Sequence, residues 1–159
     1  MALALGFTSP KDLLGKAERD LSDFESAVAA QDERRIGDVL YDFSVSVTSI
    51  KDWLKAHPSG SFTGAEVEAL VSASTALSSF RDIANANKHR FITRYSPSTV
   101  DATLSVLPSY SIAPIPSVAG PKRRLRVKII RVDGTRLEAC KLARTAVEEW
   151  RAFMAKHGV

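Results

Sequence analysis

Ile36, Leu40, Phe43, Val47, Ile50 and Leu54 recur at intervals of 4, 3, 4, 3 and 4 residues without a break. At 3.6 residues per turn only an α-helix lines such positions up on one side. Val39 and Trp53 widen the apolar stripe, while Asp38, Asp42, Ser46, Ser49 and Asp52 occupy the other side. A helix of this kind owes its stability to packing, so the chain must supply covering elements. Leu14, Leu21 and Val28, with Ala17 and Phe24 between them, form one such stripe. It is opened by Ser9-Pro-Lys-Asp, which supplies a capping hydroxyl, a proline at the first helical position and an acid in the first turn, and it should run to about Ala30. His57-Pro-Ser-Gly60 sets the end of the second helix.

Thr63-Gly-Ala-Glu66 reads as a capping box opening a third helical region toward Lys88. The serine- and alanine-rich stretch Val71–Ser79 predicts a break near Ser74, with Leu77, Phe80, Ile83 and Ala84 facing the core beyond it. The character then changes. Phe91-Ile-Thr-Arg-Tyr95 is β-prone, and residues 97–121 hold five of the seven prolines, too many for a continuous helix. Thr103–Leu107 suits a short strand, Leu125–Val132 is the strongest strand pattern in the chain, and Asp133-Gly134 turns it. Thr135-Arg-Leu-Glu138 repeats the capping-box spelling ahead of a final stripe of Cys140, Ala143, Val147, Trp150 and Met154, ending near His157. The expected fold is mainly α: an antiparallel bundle of four to five helices with a small β element before the C-terminal helix. It forms a single domain over residues 1–159, with residues 90–134 an extended or β insertion.

A chain of 159 residues with 45% hydrophobic side chains can bury one core unaided. No run approaches the roughly 18 apolar residues of a membrane span, and Met1–Asp12 lacks the basic and apolar regions of a signal peptide. The expectation is a cytoplasmic protein without a membrane partner. Cys140 is the only cysteine, so an intrachain disulfide is excluded. A metal site would have to draw on His57, His89 and His157 at no ligand spacing, and neither a metal nor a cofactor is expected. Asp38 and Asp42 read as a solvated helix face, Cys140 as a small core residue, and no Gly-rich phosphate loop is present.

Charge is strongly segregated. Residues 81–131 carry Arg81, Lys88, Arg90, Arg94, Lys122, Arg123, Arg124, Arg126, Lys128 and Arg131 against only Asp82 and Asp101, whereas the first 80 residues are acidic on balance. Such a middle points to a polyanion, RNA or DNA, or to an acidic protein surface. In the strand, Arg124, Arg126, Lys128 and Ile130 alternate with Leu125, Val127, Ile129 and Arg131, which leaves one basic face. Tyr95 and Tyr110 are the nearest aromatics, too few for base stacking. Nucleic-acid binding is therefore assigned to Arg90, Arg94, Lys122, Arg123, Arg124, Arg126, Lys128 and Arg131.

Arg81-Asp-Ile-Ala-Asn-Ala-Asn-Lys-His-Arg90 crowds polar groups onto an otherwise apolar helix. Asp82 and His89 lie about 20° off one line, with Asn85 one turn from each. Arg81-Asp-Ile-Ala-Asn85 followed by Lys88-His89 resembles the signature of HEPN domains, the higher eukaryote and prokaryote nucleotide-binding superfamily. That resemblance implies an all-helical homodimer acting as a metal-independent ribonuclease, with four to six residues between its arginine and histidine. Here seven intervene, setting Arg81 and His89 about 80° apart around the helix and about 12 Å apart along it. The implied catalytic set is Arg81 and Lys88 for the phosphorane charge, His89 for proton transfer, and Asn85 or Asp82 to orient the histidine. The segment also resembles bacterial and phage-borne proteins sharing an Asp-Trp in the second helix, here Asp52-Trp53, and an Asn-Ala-x-Lys-His ending. The competing reading is a non-catalytic binding or adaptor module whose Asp-Asn-His stripe is structural. A third is an oligomerising or inhibitory protein that pairs through the edge of strand 125–132.

Overall fold

The computed structural model describes residues 6–57, 61–88, 97–109 and 122–159. Five helices and three strands follow in the order α1 (Pro10–Ala30), α2 (Glu33–Ala56), α3 (Gly64–Ala73), α4 (Thr75–Lys88), β1 (Thr99–Ser109), β2 (Lys122–Arg131), β3 (Arg136–Glu138) and α5 (Ala139–His157). The chain is thus mainly helical, with a small antiparallel sheet immediately before the last helix. The β-prone stretch Phe91–Tyr95 lies outside the described residues.

α1 opens on the expected box, with Ser9 accepting from the Asp12 amide and Asp12 from the Ser9 amide, and α3 opens on the same device at Thr63 and Glu66. The break falls at Ser74, whose hydroxyl accepts from the Leu77 amide at 2.9 Å and so starts α4. Ser74 also donates to Glu149 of α5, tying the break to the last helix. The anticipated stripes meet in one core. Phe24 from α1, Ile36, Phe43, Ile50 and Leu54 from α2, Phe80 from α4 and Trp150 from α5 are all but fully enclosed. Phe43 and Phe80 meet edge to face at 4.8 Å, and the Trp150 indole N–H donates to the Val47 carbonyl at 2.9 Å, so the one polar atom of the largest core side chain is satisfied.

Two expectations need correction. Thr135 does not cap a helix. Residues 136–138 pair with β2 instead, Ile130 opposite Arg136, Ile129 opposite Leu137 and Lys128 opposite Glu138. Arg131 donates to the Thr135 carbonyl across a turn in which Gly134 takes φ +82°, and Glu138 becomes the cap of α5 by accepting from the Cys140 and Lys141 amides. The β element therefore extends to residue 138, past the expected limit at 134. The second correction concerns strand exposure. β2 is the middle strand of the order β1-β2-β3, so strand 125–132 does not offer the edge required by the oligomerising reading. The outermost long strand is β1.

β3 pairs only with residues 128–130 of β2, and α1 meets the same side of the strand at Leu125. Gln31, the C-cap of α1, holds φ +59°, a left-handed conformation unusual for any residue but glycine. Its side-chain amide accepts from the Leu125 N–H, and its Nε2 donates to the Leu125 carbonyl at 3.2 Å. One glutamine amide thus imitates the peptide group of a missing strand.

Candidate nucleic-acid interface

The sequence-derived site falls into two parts with different chemistry. On α4, Asp82 is 1% exposed. Its Oδ2 accepts from the Ser98 amide at 2.7 Å, the Ser98 hydroxyl at 2.7 Å and the Thr99 amide at 3.0 Å, while Oδ1 faces Arg81 Nη2 at 3.2 Å and Nε at 3.3 Å. A buried carboxylate needs this many donors to offset its lost hydration. Its lone pairs are engaged by the chain that enters β1, so Asp82 fastens that strand to α4. Arg81, with its side chain 15% exposed, completes the ion pair. It also lines a narrow recess with Thr48, Lys51 and Trp150. Asn85 is half-buried one turn further on. His89, Arg90 and Arg94, and the side chain of Lys88, lie outside the described residues, and with them the Arg81–His89 pair of the implied catalytic set.

On β2 the alternation read from the sequence sets two unlike faces. Val127 and Ile129 are buried and Leu125 packs against the core, while Arg126 is exposed and Lys128 half-buried on the opposite face. Across the ladder from these two cations stand the hydroxyl-bearing residues Ser105, opposite Arg126, and Thr103, opposite Lys128. Arg131 belongs to the inward series. Its Nη1 donates to the Thr75 carbonyl at 3.3 Å and to Ser79 Oγ at 3.2 Å, which pins the end of β2 to the first turn of α4. Lys122, Arg123 and Arg124 continue β2, their side chains lying outside the described residues.

Beside Arg126 a cleft of about 340 Å³ opens between the end of α1, β2 and the start of α5, with Glu25, Val28, Cys140 and Arg144 in its walls. Its charges are internally matched, since Arg144 Nε donates to Glu25 at 2.5 Å and Glu138 caps α5. Burial first, and then the negative Glu138 and Glu25, push the Cys140 thiol up to about 12, so it is not a nucleophile at neutral pH. Among the described residues no three His, Cys, Asp or Glu side chains gather as a metal site, and no helix is long and apolar enough to cross a membrane.

Sequence reasoning singled out Asp82 but did not find its partners, Ser98 and Thr99, which arrive from sixteen and seventeen positions away. No local pattern carries such a closure. Gln31 was equally silent, because a glutamine between two helices has no periodic signature. Comparison with known proteins finds no matching family model, no matching curated protein and no matching solved structure.

Proposed function

We propose that the protein associates with RNA in the cytoplasm as a non-catalytic binding module, holding the phosphate backbone on the outer face of β2. The observation that supports this reading best is the contrast on one strand: Val127 and Ile129 face the core, while Arg126 and Lys128 stand on the other side in a run of cations that begins at Lys122. Backbone contacts require clustered Lys and Arg without catalytic geometry. Thr103, opposite Lys128, adds a hydroxyl donor for a phosphate oxygen. Residues two apart on a strand repeat at about 6.7 Å, a spacing that an extended single strand can follow phosphate by phosphate. The engaged state of Asp82 speaks for the structural role of that side chain and against its orienting a histidine.

The test is binding of a labelled single-stranded RNA, followed by fluorescence anisotropy over a range of salt. Affinity should fall linearly on logarithmic axes, with a slope of about 0.7 per phosphate neutralised, and the double substitution Arg126→Glu, Lys128→Glu should flatten it. A salt-independent affinity would remove the reading. The same RNA incubated in EDTA should stay intact. Cleavage by the wild type that disappears in a folded His89→Ala variant would put the HEPN-type ribonuclease in its place, with Arg81, Lys88 and His89 as its catalytic groups.

A further inference from the structure

Beyond the irregularity between Thr99 and Asp101, the ladder between β1 and β2 fixes where the backbone groups of β1 point. Val132, just past the end of β2, donates its N–H to the Ser98 carbonyl, so the even-numbered residues of β2 turn their backbone toward β1 and the odd-numbered ones toward β3, as Arg131 does in donating to Thr135. With Ile130 opposite Asp101, Lys128 opposite Thr103, Arg126 opposite Ser105 and Arg124 opposite Leu107, the odd-numbered residues of β1 fill the ladder. Ala102, Leu104, Val106 and Pro108 therefore direct their backbone away from β2. Among the described residues no strand lies on that side.

This outer edge is not uniformly available. The Ala102 N–H is already taken by the Asp101 carboxylate at 2.8 Å, and Pro108 has no N–H at all. Among the described residues nothing pairs with the outward donor and acceptor groups of Leu104 and Val106, which are placed symmetrically about Ser105. Two such edges related by a two-fold axis through Ser105 match one another. Leu104 of one copy exchanges both backbone hydrogen bonds with Val106 of the other, and the reverse pair repeats the exchange. The next position outward sets Ala102 against Pro108, so that neither copy leaves a needed donor unmet. Charge agrees, because Asp101 is the only ionisable residue of β1, whereas β2 carries six cations that would repel a second β2.

We infer that two copies of this chain associate by antiparallel pairing of their β1 edges about Ser105, forming one six-stranded sheet. The interface is isologous and closed, since each free edge is consumed by its own counterpart. It stands independently of the RNA reading, though it would set the two β2 strands three strand spacings apart, about 14 Å, on a single sheet.

Light scattering over the micromolar range should give twice the 17.3 kDa chain mass. Val106→Pro removes an outward N–H and leaves the β1–β2 ladder intact, so it should return the mass to that of a single chain with an unchanged circular dichroism spectrum. Ser105→Cys gives a reading that does not depend on how the proline is tolerated. At a non-hydrogen-bonded pair the two Cα atoms are about 4.5 Å apart, within disulfide reach, and mild oxidation should link the copies. Thr103→Cys, displaced from the axis by two residues in each copy, should not link. A wild type that remains a single chain throughout the range overturns the inference. So does a dimer that survives Val106→Pro in folded form, or one that links through Thr103→Cys and not through Ser105→Cys.

Discussion

Asp82 on α4 and Lys128 on β2 are both charged residues in the basic middle of the chain, and their surroundings could hardly differ more. Asp82 is enclosed and takes donors from Ser98, Thr99 and Arg81. Lys128 stands half-buried on the face of the sheet turned from the core, between Thr103 on one neighbouring strand and Glu138 on the other. A charge drawn into the protein is compatible with folding only when its hydrogen bonds are made internally, and it is then committed to the fold. A charge left at the surface contributes little to stability and keeps its long-range attraction for a partner. The difference separates a charge that builds the fold from one that the proposed RNA contact would use, although both come from the same basic stretch of sequence.

Asp82→Ala should give the largest effect on that comparison. It strands the Ser98 and Thr99 amides and the Arg81 guanidinium, and should cost about 3–5 kcal/mol, read as a lowered urea midpoint. A loss below about 1 kcal/mol would mean that water serves the site as well as the carboxylate does. Gln31→Ala comes next. Removing the amide that pairs with Leu125 should cost about 1–2 kcal/mol. Gln31→Gly loses the same amide but relaxes the left-handed backbone, and so should be less harmful than the alanine.

At the small end, Arg126→Gln with Lys128→Gln, which removes both charges without setting a carboxylate against Glu138, should move stability by no more than about 1 kcal/mol while weakening RNA binding and its salt dependence. The capping boxes provide a pH counterpart. The Thr8 amide, then the Ser9 and Thr8 hydroxyls, hold the Asp12 carboxyl below the ordinary carboxylate range, and the Thr63 amide and hydroxyl do the same for Glu66. A carboxyl whose folded value is depressed adds stability above its unfolded value and loses it as the pH falls through the folded one. NMR titration should therefore find both groups still ionised after ordinary surface carboxylates have protonated, and Thr63→Ala should raise the value of Glu66.

The helices were readable because their information is local. The unbroken stripe of α2, the box at Ser9 and the break at Ser74 each lie within a few residues, and the structure keeps all three. The two boxes with the same spelling show where local information stops. Thr63-Gly-Ala-Glu66 caps α3, whereas Thr135-Arg-Leu-Glu138 follows a turn that returns the chain alongside β2, and strand pairing outcompetes the cap. Burial of Asp82 was hidden for the same reason. Its spacing to Asn85 and His89 describes a helix face, but Ser98 and Thr99 decide what that face meets. The two faces of β2 were legible as an alternation, which already set Arg131 on the side of Val127 and Ile129, but its partners Thr75 and Ser79 were not.

The most direct test of this division is to measure urea stability and RNA affinity side by side for Asp82→Asn and for Lys128→Gln with Arg126→Gln. A crossed pattern is expected: Asp82→Asn lowers the unfolding midpoint while the folded fraction binds RNA as the wild type does, and the β2 pair leaves the midpoint in place while affinity and its salt slope fall. If Asp82→Asn abolishes RNA binding or processing without loss of stability, or if removing both β2 charges leaves the affinity unchanged, the division of labour between the buried clasp and the basic face is contradicted.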